Sequence, residues 1–237
     1  IKERVTARGE IFQPMDEAHA REQVRALLDA GVQSLTVSLL HSYANPKHEE
    51  RLGEIIRELD GEIPVSLSSQ ILPEFREYER TLVTVMKAYV GPSKRRYLTN
   101  FEEKLRGINF TPHVNIVRSD GGLMSVERAS DSPVHTMLSG PAGGVSGAAF
   151  LAGLAGHPDA LGFDMGGTST DVSLIQNGVP NISRQTTLGY YPIKVPSVEV
   201  HSVGAGGGSI AHVPMTGALR VGPESAGAEP GPAAYGK

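Results

Sequence analysis

Carboxylates beside glycine turns, clustered hydroxyls and a few histidines are the residues of this chain that can do chemistry, and the first two kinds converge on residues 162–175, Gly-Phe-Asp-Met-Gly-Gly-Thr-Ser-Thr-Asp-Val-Ser-Leu-Ile. Asp164 ends a short apolar run, Gly166 and Gly167 follow, Thr168, Ser169 and Thr170 bring three hydroxyls, and Asp171 opens a second apolar run. The pattern predicts a strand, a tight turn and a returning strand. Glycines allow positive φ and a close approach of backbone to ligand. Successive backbone N–H groups in such a turn form an anion-binding concavity. Hydroxyls add donors, and flanking carboxylates hold a hydrated cation or orient a water. The chemistry that fits is the holding of a polyphosphate with Mg²⁺. Gly166, Gly167, Thr168, Ser169 and Thr170 would face phosphate oxygens. Asp164 would act on the metal or its waters, and Asp171 would orient the hairpin or join the metal shell.

A second glycine run, Val203-Gly204-Ala205-Gly206-Gly207-Gly208-Ser209-Ile210, is a further candidate contact surface for nucleotide or substrate, through Gly204, Gly206, Gly207 and Gly208. It is not a dinucleotide fingerprint, because Ser209 takes the place of the last glycine, and no Walker A sequence occurs. His201, just ahead of this run, is the candidate histidine for an active cleft. Glu199 and His201 alternate onto one strand face, which is too little for a metal site. Ser119-Asp120-Gly121-Gly122 reads either as a cleft-facing loop or as a plain Asp-Gly turn. The run Arg76, Glu77, Glu79, Arg80 reads as a solvated helix face, and Lys94-Arg95-Arg96 as surface.

These residues need elements to position them. Asp16 is a helix N-cap, and Gly31 a residue just past that helix's end. Leu35 to Leu40 reads as a strand. Asn45-Pro46 opens a helix with Leu52, Ile55, Ile56 and Leu59 on one face, and Ile63 to Leu67 is the next strand. A helix from Glu77 to Val90 should kink or end at Gly91-Pro92, with a further helical stretch from Lys94 to Leu105. Strands are expected at Val114–Val117 and Val134–Leu138. Ser139 to Ala149 then forms a helix of very small side chains, with Pro141 at its first position. Each interior glycine costs such a helix about 1 kcal/mol against alanine, so close packing against another backbone must offset it. The strand Ala160–Met165 follows directly. Asn177-Gly178 signals a hairpin, and the Gly/Pro-rich tail from Leu219 to Gly236 reads as an ordered loop.

Composition sets the outer bounds. The chain has 237 residues, 39% of them apolar, with no Trp. Its net charge of −4 argues against a nucleic-acid partner. It has no cysteine, so it has neither disulfides nor a thiol nucleophile. No apolar run in these residues is long enough to span a bilayer and none reads as a signal peptide, so no membrane partner is expected and the cytoplasm is the expected compartment. The chain begins at Ile1 and ends in mid-pattern, and reads as an excerpt of a longer protein.

The Asp-x-Gly-Gly-Thr-x-Thr-Asp strand-turn behind a small-residue helix resembles the actin-like ATPase superfamily. Within it, Ser139-Gly140-Pro141-Ala142-Gly143-Gly144-Val145, Gly162 to Val172, Val203 to Ala211 and Arg220 to Ala228 are similar to the hydantoinase A/5-oxoprolinase family. Phe75-Arg76-Glu77-Tyr78-Glu79-Arg80, with Ala88-Tyr89-Val90 after it, is similar too. The resemblance implies an α/β, ribonuclease-H-like actin-like ATPase fold, here incomplete. It implies residues 1–138 as the remainder of a first lobe with a helical insertion, 139–157 as an interlobe helix, and 158–237 as the start of a second lobe. It also implies ATP and Mg²⁺ as cofactors, a small cyclic amide such as a hydantoin or 5-oxoproline as substrate, and a hydantoinase B-type second subunit or domain. Phosphorylating the amide oxygen would turn it into a leaving group. ATP-dependent ketone carboxylase subunits, small-molecule kinases and ATP-driven scaffolds are the alternatives the superfamily leaves open. A second phosphate hairpin is expected outside these residues, so the 237-residue chain alone is expected to bind nucleotide weakly.

Overall fold

The computed structural model describes residues 1–110, 112–227 and 229–236; Ala228 of the Arg220–Ala228 phrase and the final Lys237 lie outside the described residues. The first stretch runs β1 (Arg4–Val5), β2 (Ile11–Gln13), α1 (Glu17–Asp29), β3 (Leu35–Val37), α2 (Lys47–Leu59), β4 (Val65–Leu67), α3 (Ser68–Ile71) and α4 (Glu77–Gly107). It continues with β5 (Asn115–Val117), β6 (Leu123–Ser125), α5 (Val126–Asp131), a 3₁₀ turn at Pro133–Thr136 and α6 (Ser139–Leu154). Strands then dominate: β7 (Ala160–Met165), β8 (Thr170–Gln176), β9 (Val179–Pro180), β10 (Ile182–Ser183), β11 (Thr186–Leu188), β12 (Tyr191–Ile193) and β13 (Ser197–Val198). The last are β14 (Val200–Val203), β15 (Ser209–His212) and β16 (Arg220–Ser225), with a 3₁₀ turn at Ala233–Tyr235. Among the described residues no helix is long and apolar enough to cross a membrane.

The chain divides into two compact units. The first holds residues 1–116, 124–134 and 185–195. In it β3 and β4 pair in parallel, Leu35 beside Val65 and Val37 beside Leu67. Ala20 and Val24 of α1 and Leu52, Ile55 and Ile56 of α2 close over them as a dry core. Asp16 caps α1 as expected, its carboxylate accepting from His19 N–H at 3.0 Å, and Gly31 takes the positive φ of +77° that ends the helix.

The expected break at Pro92 does not occur: α4 is one helix of 31 residues with Pro92 inside it. A proline within a helix removes one hydrogen bond, and here packing of α4 against β4, α3, α5 and β12 outweighs that loss. The reading of the run from Arg76 to Arg80 as a solvated face holds for Arg76, which is exposed, and is corrected for Arg80, which is wholly buried. Its guanidinium donates to Ser68 Oγ at 3.0 Å, Glu74 O at 3.0 Å and Leu39 O at 2.8 Å. Ser68 in turn donates to the wholly buried Glu49 at 2.6 Å, which also accepts from the N–H groups of Leu39 and Ser69.

The second unit holds residues 117–123, 135–184 and 196–237. Its sheet has the order β14-β8-β7, with β9 also paired to β8. The β8–β9 turn is the expected Asn177-Gly178 hairpin, with φ of 52° and 76° at its two residues. Val134–Leu138 is not a strand. The segment is held instead by Ser119, whose N–H and Oγ both donate to His135 O, while Leu138 N–H donates to Ser119 Oγ. The helix that follows starts at Ser139, so Pro141 stands third rather than first, still inside the first turn where its missing N–H costs nothing. Part of the tail expected as loop is strand: β16 pairs with β15, Val221 opposite Ala211.

Candidate functional site

Strands β7 and β8 set Asp164 opposite Asp171 and Gly162 opposite Ser173. On the other side of β8, β14 sets Ser202 opposite Asp171, His201 opposite Val172 and Val200 opposite Ser173. Residues opposed across an antiparallel pair share a face, and neighbours along a strand alternate. Gly162, Asp164, Asp171, Ser173, Val200 and Ser202 therefore share one face. Leu161, Phe163, Met165, Val172, Leu174, His201 and Val203 share the other.

The first face looks at α6. The helix can lie close because its contact residues are small, which is the packing that its poor intrinsic propensity requires. Ala142 and Val145 are buried with Val198, and a cavity of about 170 Å³ opens between Pro141, Gly144, Ala148, Asp164 and Asp171. A Cβ at Gly144 would touch Asp164 Oδ2 at 3.7 Å, and one at Gly162 would overlap the Ser173 hydroxyl. Larger side chains at these positions would fill the space before the carboxylates.

Asp164 is exposed and accepts no hydrogen bond among the described residues. Asp171 is half-buried and accepts from Ser202 Oγ at 2.5 Å. Two like charges directly opposite each other on a sheet repel, and a cation between them would remove the repulsion. Beyond them Gly166 N–H donates to Ser169 O at 2.9 Å, closing the turn. The N–H groups of Gly167, Thr168 and Ser169 have no acceptor among the described residues. Three free amides on an exposed turn beside two carboxylates suit a phosphate with its metal.

The second glycine run braces this turn from behind. Gly207 N–H donates to Gly166 O at 2.9 Å, Gly208 N–H to Gly167 O at 2.6 Å, and Thr170 Oγ1 to Ala205 O at 2.6 Å. Gly206 N–H donates to Ser209 Oγ at 2.7 Å. A Cβ at Gly206 would fall 2.7 Å from Gly166 O and 2.8 Å from Ser169 N. The amides of Gly206, Gly207 and Gly208 and the hydroxyl of buried Thr170 are thus spent on internal bonds, not offered to a ligand. Gly204 is exposed at the edge of the same loop.

His201 does not join the carboxylates. Strand alternation sends it to the opposite face of the sheet, where it is exposed. Ser202, one residue on, reaches Asp171 instead. Sequence reasoning missed Ser202 because its role depends on the pairing of β14 with β8, which no local pattern announces. Among the described residues no group of three or more His, Asp or Glu is arranged for a metal.

The Ser119–Gly122 segment is a turn fastened to α6. Asp120 accepts from Arg118 at 2.6 Å and from Gly122 N–H at 3.0 Å, and a Cβ at Gly121 would lie 3.0 Å from Ser146 Oγ. Burial holds the His135 imidazole below its ordinary pKa, and Arg118 lowers it further against an opposing pull from Asp120.

A mixed α/β chain that presents Asp-x-Gly-Gly-Thr on a β-hairpin beneath a small-residue helix has the architecture of an actin-like ATPase lobe. The chain belongs to the hydantoinase/oxoprolinase family: the Hydantoinase/oxoprolinase profile matches residues 80–237 and the Hydantoinase/oxoprolinase N-terminal region matches residues 1–60. It is 36% identical over 242 residues to the acetophenone carboxylase gamma subunit of Aromatoleum aromaticum, covering 99% of this chain and 33% of that protein. It is 39% identical over 229 residues to the 5-oxoprolinase of Saccharomyces cerevisiae, covering 96% of this chain and 17% of that protein. The crystal structure of the ATP-dependent caprolactamase from Pseudomonas jessenii superposes with a TM-score of 0.85 at 34% identity, over 99% of this chain and 34% of that one. The chain thus spans about a third or less of the length of these relatives.

Proposed function

We propose that this chain carries part of the nucleotide site of an ATP-dependent enzyme that opens cyclic amides. The observation that carries the reading is the turn at Gly167–Ser169, with three unengaged amides next to the opposed carboxylates Asp164 and Asp171. ATP with Mg²⁺, when bound, would supply a phosphoryl group that activates an otherwise poor electrophile. Gly167, Thr168 and Ser169 would hold phosphate oxygens through backbone N–H groups. Asp164 would hold the metal or its waters, with Asp171 beside it; one or two carboxylates suffice for Mg²⁺, which keeps several waters. Ser202 would fix the rotamer of Asp171, and the glycine run at 204–208 would hold the turn in shape. Positioning and charge stabilisation are the main protein contributions to phosphoryl transfer.

A second reading is an ATP-dependent ketone carboxylase subunit. It draws on the match to the acetophenone carboxylase gamma subunit, which is as extensive as that to the amide-opening relatives. In both readings a second, hydantoinase B-type subunit or domain completes the enzyme. The test is ATP hydrolysis by the full-length protein with its partner, with 5-oxoproline, a hydantoin, caprolactam or a ketone added in turn. Turnover that rises only with a cyclic amide supports the first reading, turnover that rises only with a ketone and bicarbonate supports the second, and turnover indifferent to all of them rejects both. Asp164→Asn separates the site from the substrate question. It should abolish turnover with every substrate while raising stability in metal-free buffer by about 0.2–1 kcal/mol, because it removes a like-charge cross-strand pair. Normal turnover in that variant would take Asp164 out of the site.

A further inference from the structure

The first unit has its own small cavity, of about 100 Å³, between α4, the strand β4 and the end of α5. Its walls are the helix face Lys87, Ala88, Gly91, Pro92 and Arg95, with Ser66 and Ser130 opposite. The spacing on α4 explains the opening: Lys87, Gly91 and Arg95 succeed one another at every fourth residue, on one face of the helix. The middle position has no side chain, and a Cβ placed on Gly91 would meet nothing within 4 Å.

Three polar side chains on these walls, Ser66, Lys87 and Arg95, form no hydrogen bond or ion pair among the described residues. Lys87 and Arg95 form no salt bridge among the described residues. Asp131 is close enough to favour a charged Lys87 but does not bond to it. Ser66 is 6% exposed, and its hydroxyl has no hydrogen-bond partner among the described residues. Pro92 has no N–H, so the carbonyl of Ala88, four residues earlier, loses its helical donor. Ser130 Oγ donates to Val126 O at 3.1 Å and keeps its lone pairs free. A buried hydroxyl and a half-buried ammonium with no bonded partner are costly unless something answers them.

We infer that this cavity is a binding site for a small oxyanion, a phosphate or a carboxylate, held by Lys87, Arg95 and Ser66. Lys87 would give the ammonium and Arg95, at the exposed rim, the fork of guanidinium donors that matches two oxygens. Ser66 would donate from the floor, and the orphaned Ala88 carbonyl would accept from a protonated oxygen of the ligand or from a water. Burial lowers the Lys87 pKa from its ordinary value, and the charge of Arg95 lowers it further. An anion between the two would relieve both costs. The residues are all in the first unit and none belongs to the Gly167–Ser169 turn, so the site is separate from the proposed nucleotide site.

The test is equilibrium dialysis of the chain with radiolabelled inorganic phosphate, and in a parallel arm with labelled acetate, at constant ionic strength. Lys87→Gln and Gly91→Leu are compared with the parent, and far-UV circular dichroism checks that each is folded. Both substitutions keep good helix formers in α4. Saturable binding that weakens roughly tenfold or more in each variant is expected, the scale of one lost hydrogen bond to a charged group. Saturation by phosphate alone assigns a phosphoryl ligand, and saturation by acetate a carboxylate. Binding unchanged in both variants, or no saturable binding of either anion, overturns the proposal. Should Gly91→Leu not fold, Gly91→Ala places a methyl in the same space and carries the same expectation with a smaller loss.

Discussion

Ser202 and Asp171 stand directly opposite on β14 and β8 and share a 2.5 Å hydrogen bond, while Asp164, opposite Asp171 on its other side, accepts none among the described residues. The two carboxylates are therefore unequal: one is tethered, the other free to reach a ligand. Ser202→Ala should raise the Mg²⁺ concentration needed for half-maximal ATP turnover several-fold, with kcat at saturating Mg²⁺ little changed. Ser202→Thr, which keeps the hydroxyl, should restore it. An identical Mg²⁺ dependence in Ser202→Ala would mean that the bond has no part in metal binding.

Gly206→Ala tests the brace behind the turn. Its methyl would press on the backbone of Gly166 and Ser169, at 2.7 and 2.8 Å, and backbone cannot rotate away as a side chain can. Overpacking of this kind costs about 1–3 kcal/mol. The melting temperature and MgATP turnover should fall together. Gly207→Ala, whose methyl would lie 3.8 Å from Gly166 O, should be tolerated. Equal behaviour of the two variants would contradict the close approach.

Arg80→Met removes the cation from a site where both it and Glu49 are wholly out of solvent. Glu49 keeps its bonds to Leu39, Ser68 and Ser69 but loses the positive charge beyond Ser68. Breaking a buried charge arrangement on one side costs about 3–5 kcal/mol, which urea denaturation can read. A loss under about 1 kcal/mol, the scale of an exposed pair, would show that Arg80 acts as a surface residue.

His135 gives the fold a dependence on pH. Its folded-state pKa lies below the unfolded value of 6.5. Below that value the unfolded chain takes up a proton that the native state refuses, so stability falls as pH drops toward the folded-state pKa and is fully present above 6.5. The melting temperature should therefore fall more steeply between about pH 7.5 and 5.5 in the parent than in His135→Gln. Parallel slopes would exclude His135 as the cause.

What was legible in the sequence was local. The Asp16 cap, Asn177 with Gly178, and the strand Ala160–Met165 each depend on residues within a few positions of one another, so their chemistry is written side by side. The hairpin carrying Asp164 and Asp171 was legible for the same reason. Ser202 was not, since it meets Asp171 from 31 residues away. Arg80 read as a surface charge because its acceptor at Leu39 lies 41 residues upstream. Val134–Leu138 has the composition of a strand, but Ser119 claims its backbone instead. Pro92 kept its helix because α4 packs against several elements at once, among them β3 and β12, which lie far from it in sequence.

The face of the β14-β8-β7 sheet turned away from α6 carries Leu161, Phe163 and Met165 at 70%, 67% and 56% exposure, with Leu174 and Val203 beside them. A net charge of −4 gives weak mutual repulsion between copies in solution. The colloidal behaviour of the isolated chain follows from this: its sedimentation and light scattering should depend on concentration, and a charged residue in place of Phe163 should quieten both. Handling of the chain at the concentrations used for spectroscopy will be governed by that strip of side chains.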